Sequence, residues 1–74
     1  MSEEKIKNNI RILRRGKVDI TQEELAHLVG CTRQTIAALE KEKYNPSLSL
    51  AIKIAHILDV SIDELFTLEE KRDY

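Results

Sequence analysis

The chain has few of the residues that break or cross-link a backbone. Its 74 residues contain one proline, two glycines and one cysteine. So few helix breakers predict a mostly helical chain. The single cysteine, Cys31, excludes an intrachain disulfide and fits a reducing compartment, so we expect a cytoplasmic protein.

Aromatic residues and long apolar runs are also scarce. There is no tryptophan, one phenylalanine and two tyrosines. No apolar stretch is long enough to span a bilayer, and the N-terminus has no apolar segment behind a basic start. The sequence therefore predicts neither a membrane span nor a signal peptide. It predicts a single domain over residues 1–74, built around one small aliphatic core.

Catalytic and metal-binding patterns are missing too. We find no Ser/His/Asp arrangement, no glycine-rich phosphate loop and no paired carboxylates, and a core this small leaves no room for a deep cleft. His27 and Cys31 have the i,i+4 spacing of two metal ligands, but no third or fourth ligand accompanies them. Cys31 is instead expected to be a small core residue. We predict no enzyme, no metal site and no cofactor.

The net charge of −1 hides an asymmetry along the chain. Residues 1–45 contain nine Lys or Arg against seven Asp or Glu, whereas residues 46–74 contain three against six. The first part is mildly basic and the rest is acidic. This distribution predicts a polarised molecule rather than a polycation.

The start of the chain predicts a short strand or a frayed turn, followed by a helix. Residues 5–7 alternate between polar and apolar side chains, which fits a strand. Asn8 or Asn9 can cap the first helix. Gly16 is expected to end this helix, and residues 16–20 form a connector.

Four further helices are expected to begin at capping residues, namely Thr21, Thr32, Ser47 and Ser61. Thr21 and Ser61 are each followed three residues later by Glu, which makes a capping box. The helix after Ser47 is apolar on more than one stripe, so it should be central or be buried partly by a partner. Residues 66–68 alternate like a second strand, and residues 69–74 are expected to be a frayed acidic tail.

Residues 22–41 have the spacing of two short helices joined by a tight turn. Small Ala26 lets the helices approach closely, and Gly30 can adopt the positive φ of a turn. The inward positions of both helices are apolar: Leu25, Val29, Cys31, Ile36 and Leu39. With ITQEELA (20–26), TRQTIAALE (32–40), YNPSLSLAIKIA (44–55) and VSIDELF (60–66), the chain resembles the Cro/CI-type helix-turn-helix family, or XRE family, of prokaryotic transcriptional regulators. The resemblance covers residues 9–68.

The resemblance implies an all-α, compact five-helix, lambda-repressor-like DNA-binding domain, to which the chain ends can add a small two-stranded sheet. It implies that helix 32–41 enters the major groove of double-stranded DNA. The expected base contacts are Arg33, Gln34, Thr35 and Ala38, and the expected phosphate contacts are Gln22, Thr32, Lys41, Lys43, Tyr44 and Asn45. The alternative is that these are ordinary solvated side chains, with Thr32 only a cap and the Tyr44 ring packed on the core.

The resemblance also implies a structural ion pair between Arg14 and Glu40 that orients the recognition helix. Arg15 is the alternative to Arg14, because the connector 16–20 looks about one residue longer than is usual in the family. A second departure is Glu42, which stands where the family often has Gly. It is expected to add a negative charge near the DNA.

The later part of the chain carries surplus apolar residues: Ile57, Val60, Ile62, Leu65, Phe66 and Leu68. They predict a homodimer that spans the half-sites of a pseudo-palindromic operator, about 34 Å apart. The function expected from the resemblance is a sequence-specific repressor. The alternative is an antitoxin-type module, which binds a toxin-like protein and autoregulates its operon. A restriction–modification controller is a third variant.

Overall fold

The computed structural model describes residues 4–70, which form five helices and a two-stranded sheet. The elements follow in the order β1 (Glu4–Asn8), α1 (Ile10–Leu13), a π-helical segment (Arg14–Val18), α2 (Gln22–Val29), α3 (Arg33–Glu40), α4 (Leu48–Leu58), α5 (Ile62–Leu65) and β2 (Phe66–Glu70). The predicted five-helix domain with a small terminal sheet is confirmed. No helix in the described range is long and apolar enough to cross a bilayer.

Four of the helices begin with a side-chain cap, at the four residues that the sequence predicts. Thr21, Thr32, Ser47 and Ser61 each accept a hydrogen bond from the backbone N–H three residues later. Both capping boxes are complete, because Glu24 and Glu64 accept in return from the N–H groups of Thr21 and Ser61. These bonds favour the ionised carboxylates, so they lower the pKa of both glutamates below the ordinary value of 4.5.

The first helix does not end at Gly16, which corrects the prediction. The helix continues as a π-helical turn from Arg14 to Val18. It ends at Asp19, whose backbone N–H donates to the carbonyl of Arg14. A π turn bonds residue i to i+5 rather than i+4, so it holds one more residue than an α turn. The extra residue expected in the connector is therefore absorbed as helix. Gly16 is exposed, and a Cβ there would meet nothing within 4 Å.

Asn8, rather than Asn9, supplies the side-chain hydrogen bond at the start of α1. Asn9 occupies the N-cap position, but its side-chain amide donates to the carbonyl of Glu64 at 3.1 Å. Asn8 Oδ1 accepts from the N–H of Ile10 at 3.2 Å. Asn8 thus accepts a hydrogen bond from the first N–H of α1, whereas Asn9 links the start of α1 to α5.

The core is aliphatic and draws on all five helices. Its largest fully buried side chains are Ile10, Leu25, Ile36, Leu39, Ile54, Leu58 and Leu65. Helix α2 packs against both α3 and α4. Helix α4 buries one stripe, while Leu48 and Ile52 on its other face are 74% and 52% exposed. The predicted central helix is therefore only half covered by its own chain.

The two ends of the described chain meet in an antiparallel sheet. Ile6 pairs with Leu68, and Asn8 pairs with Phe66. Lys7 also forms an ion pair with Glu69 at 3.0 Å, which raises the pKa of the lysine. The expected frayed tail is thus wrong for Glu69 and Glu70, which belong to β2. The rest of the expected tail, residues 71–74, lies outside the described residues.

Candidate nucleic-acid interface

Helices α2 and α3 are joined by a three-residue turn that is fixed by backbone geometry. Gly30 has a φ of 78°, a conformation that L side chains rarely adopt. The N–H of Cys31 then donates to the carbonyl of Ala26 at 2.9 Å. Ala26 is buried, as expected for a residue that permits close approach of the two helices. This turn sets α3 across α2 with its first residues open to solvent.

Helix α3 has one buried face and one open face. Ile36 and Leu39 are fully buried, whereas Arg33 and Gln34 are exposed at the start of the helix. Thr35 and Ala38, the other two expected base contacts, are half-buried. The Thr35 hydroxyl lies 3.0 Å from the Thr32 hydroxyl, so it already has a local partner. Arg33 and Gln34 are thus the side chains with most freedom to meet a ligand.

The expected phosphate contacts lie at both ends of this helix. Lys41, Lys43, Tyr44 and Asn45 are exposed in the segment that follows α3. Tyr44 is 42% exposed, so its ring is not packed into the core. At the other end, the Thr32 hydroxyl caps α3 by accepting from the N–H of Thr35 at 3.2 Å.

Gln22, another expected phosphate contact, is turned toward the protein. Its Nε2 donates to Glu40 Oε1 at 3.0 Å, and the side chain is half-buried. This bond ties the first residue of α2 to the last residue of α3. An amide nitrogen carries two N–H groups, so one of them remains for a ligand.

The ion pair expected between Arg14 and Glu40 is present and almost completely buried. Arg14 Nε and Nη2 donate to the two carboxylate oxygens of Glu40 at 2.8 and 3.2 Å. The side chains are only 6% and 5% exposed. Arg14 Nη1 also donates to the carbonyl of Ile20 at 2.9 Å. Two parallel bonds in a buried site fix orientation more strongly than a surface pair does, so the end of α3 is held against the first helix.

The match to a known family follows this geometry. The helix-turn-helix family profile covers residues 10–65, which is more than half of the chain and includes α2, the turn and α3. The chain belongs to the helix-turn-helix family. Its relatives place it in the XRE-type branch of transcriptional regulators.

Three similar proteins illustrate the match, and two of them are named as transcriptional regulators of the helix-turn-helix type. An uncharacterised transcriptional regulator of this type from Archaeoglobus fulgidus is 53% identical over 57 residues, which cover 77% of this chain and 80% of the relative. YgzD of Bacillus subtilis is 44% identical over 66 residues, covering 89% and 98%. The control protein C.MunI from Mycoplasma sp. is 34% identical over 64 residues, covering 86% of each.

A solved structure agrees with the fold. The crystal structure of a candidate DNA-binding protein from Bacteroides fragilis matches with a TM-score of 0.75 and 29% sequence identity. The match covers 84% of this chain and 98% of the other. The helical body with its helix-turn-helix is therefore shared between the two proteins.

Within this helix-turn-helix member, Glu42 has a role that the sequence did not reveal. It adopts a φ of 59°, which explains why glycine suits this position. Its Oε2 accepts from the backbone N–H of Asn8 at 3.3 Å, and its Oε1 lies 3.6 Å from Lys5 Nζ. Asn8 Nδ2 also donates to the carbonyl of Leu39 at 2.7 Å. Strand β1 is thus tied to the end of α3, and the Glu42 charge faces a lysine of the protein.

The expected dimer patch is only partly open. Leu65 is fully buried in the core of its own chain, so the prediction that it lies at an interface is wrong for this structure. Ile57, Val60 and Phe66 are half-buried against the core, and Ile62 and Leu68 are 38% and 56% exposed. In the short helix α5, Leu65 points inward and Ile62 points outward, an orientation that the pattern of apolar residues did not predict.

Cys31 packs at the edge of the helix-turn-helix core. It is half-buried and contacts the core cluster, as its inward position predicts. Burial raises the pKa of its thiol, so the reactive thiolate is disfavoured.

Proposed function

We propose that this helix-turn-helix protein is a homodimeric, sequence-specific repressor that reads a pseudo-palindromic operator with α3 in the major groove. One observation carries the proposal. The buried Arg14–Glu40 ion pair holds the C-terminal end of α3 in place, while Arg33 and Gln34 are exposed at the N-terminal end of the helix. A recognition helix needs this combination, because base reading requires free side chains on a fixed axis.

Base reading is assigned to four side chains of α3. Arg33 has the fork that matches the two acceptors of guanine, and Gln34 can pair with adenine through its amide. Thr35 can donate or accept a hydrogen bond while it keeps its contact with Thr32, because a hydroxyl has both capacities. Ala38 is small enough to contact a thymine methyl group.

Backbone binding is assigned to the residues that flank α3. Lys41, Lys43, Tyr44 and Asn45 are exposed after the helix, and Gln22 and Thr32 lie before it. Such contacts fix the register of the protein on the duplex and carry no sequence information themselves.

A homodimer is assigned because one such domain reads only a few base pairs. Two copies related by a two-fold axis read two half-sites about 34 Å apart. The exposed Ile62 and Leu68, with half-buried Ile57, Val60 and Phe66 beside them, offer apolar surface for this contact. Repression in the cytoplasm then needs only occupancy of a promoter.

Selection from a randomised duplex pool tests the proposal with the purified protein alone. Recovery of an inverted repeat is the expected result. A single, unrepeated site would contradict the dimer. A pool without enrichment at low salt, where nonspecific contacts are strong, would contradict specific reading and favour the antitoxin-type module.

A restriction–modification controller is a variant of the same proposal, and one relative of the chain is itself named a control protein, C.MunI. The selected operator separates the variants. A site beside a restriction–modification operon would support the controller, and a site beside a small toxin-like reading frame would support the antitoxin.

A further inference from the structure

A small hollow of about 210 Å³ lies between the first helix, the start of α2 and the end of α3. Its lining consists of Arg11, Arg14, Gln22, Ala37, Glu40 and Lys41. Three of these form the hydrogen-bonded group already described, in which Glu40 accepts from both Arg14 and Gln22. The hollow is therefore built on a rigid polar floor that belongs to the protein itself.

The charges of this hollow do not cancel. The buried carboxylate of Glu40 is neutralised by Arg14 at 2.8 Å. Arg11 and Lys41 are exposed, and neither forms an ion pair with a side chain of residues 5–69, the part of the chain whose side chains the structure describes. Two uncompensated cations thus stand over a neutral floor. An anion is the ligand that this charge distribution favours.

We propose that Arg11 and Lys41 bind one and the same backbone phosphate of the DNA in this hollow, with the second N–H of Gln22 as a further donor. The inference rests on the proposed function, because α3 in the major groove would bring the DNA strand that borders the groove close to this hollow. It adds Arg11, a residue of the first helix, to the contacts. A guanidinium and an ammonium on opposite sides of one phosphate also fix the tilt of α3 against the strand.

Sharing one phosphate has a measurable consequence. Each phosphate neutralised by a protein contributes about 0.9 to the slope of log Kd against log salt. Arg11→Ala is expected to weaken binding about tenfold, equally on operator and on random duplex. The double variant R11A/K41A, present in both subunits of the dimer, is expected to lower the slope by about 1.8, because one phosphate contact is lost in each half-site, whereas two separate phosphates in each half-site would lower it by about 3.6.

The matched control is Arg15→Ala, which removes an exposed arginine from the same helical stretch but not from the hollow. It should leave both the affinity and the slope close to those of the wild type. Unfolding curves of all variants would show that each remains folded. If Arg11→Ala weakens binding to both duplexes no more than Arg15→Ala does, or if the double variant lowers the slope by the amount expected for two phosphates in each half-site, the inference is overturned.

Neutral methylphosphonate, placed at one backbone position at a time, locates the phosphate. At one position in each half-site, wild-type affinity should fall, and Arg11→Ala and Lys41→Ala should then cost nothing more. A loss that persists for Arg11→Ala on every substituted duplex would overturn the inference. Inorganic phosphate at constant ionic strength distinguishes a free anion site, because competition at millimolar concentration would contradict a site shaped by the duplex.

The two failures can be told apart. Wild-type protein that binds no duplex even at low salt would overturn the proposed function and this inference together. Wild-type protein that selects an inverted repeat, with an affinity for duplex that does not change in Arg11→Ala, would overturn only the shared phosphate.

Discussion

Within residues 4–70, three non-glycine residues adopt positive φ, and they do so for different reasons. Asp19 and Asp59 end helical segments with φ values of 50° and 56°. Short polar side chains such as Asp tolerate this conformation better than most. Glu42, at 59°, has no such tolerance and is held by its contacts with Asn8 and Lys5 instead. Its charge is therefore directed into the protein by a strained backbone.

This balance predicts that Glu42→Ala and Glu42→Gly differ in stability. Both remove the contacts with Asn8 and Lys5, but only glycine removes the strain of an L residue, about 1–2 kcal/mol. We expect the free energy of unfolding of Glu42→Gly to lie within about 1 kcal/mol of the wild-type value. That of Glu42→Ala should be lower than the wild-type value by about 1–2 kcal/mol. Urea denaturation measures both. An alanine variant as stable as the glycine variant would contradict the argument.

Arg33 is expected to read a base rather than to bind the backbone. Arg33→Ala should weaken binding to the selected operator by about 1–3 kcal/mol and relax the preference at one base pair. Binding to random duplex should change little, because the nonspecific contacts come from other residues. Titrations on both duplexes test this, with Lys53→Ala on α4 as the control. Equal weakening on both duplexes would make Arg33 a phosphate contact.

At the scale of elements, the sequence predicted what is encoded locally. A capping residue and its partner lie three positions apart, so the starts of α2 and α5 were readable from Thr21 and Ser61. The π-helical turn was not, because an extra residue in a connector does not say whether a helix absorbs it. The hollow around Arg11 is formed by residues of three elements, and no local sequence pattern predicts that these residues lie close together in space.

The capping box of α2 makes a prediction about pH. Folding lowers the pKa of Glu24, so the ionised carboxylate stabilises the fold above pH 4.5, and this contribution is lost as pH falls through the lower folded-state pKa. Thr21→Ala should cost about 1 kcal/mol at neutral pH. It should also raise the pKa of Glu24 only part of the way to its ordinary value, because alanine lacks the hydroxyl but keeps the backbone N–H of residue 21, whose bond to the carboxylate is the main cause of the shift.

An NMR titration of the Glu24 carboxyl, with and without Thr21→Ala, measures this shift. Thr32→Ala is the matched control. It removes the cap of α3, but the residue three positions later is Thr35, which does not titrate. A Glu24 pKa that does not rise at all in Thr21→Ala would mean that the Thr21 hydroxyl contributes nothing to the shift, which would then come from the backbone N–H alone.

At the scale of the whole molecule, apolar surface is unevenly used. Eleven apolar residues form the core, yet Ile12, Leu48 and Leu68 are each more than half exposed. A small domain gains much of its stability from burying such surface in a partner. Leu48 and Ile52 on α4 compete with Ile62 and Leu68 as the surface that a second copy covers. The sequence alone does not predict which of these two surfaces forms the dimer interface. Both stretches are apolar, and the answer depends on which of their residues are buried in the core of the same chain.

Aspartate substitutions decide which surface forms the dimer. Leu68→Asp and Ile62→Asp should keep the monomer folded, because both side chains are already exposed, and should shift the protein to monomers that lose operator binding. Leu48→Asp on α4 is the matched control and should leave the dimer intact. Leu65→Asp would instead unfold the chain, since a buried unpaired charge costs more than about 3 kcal/mol. Sedimentation of each variant gives the oligomeric state. A dimer that survives Leu68→Asp and dissociates with Leu48→Asp would move the interface to α4, while the assignment of α3 to the major groove would stand unchanged.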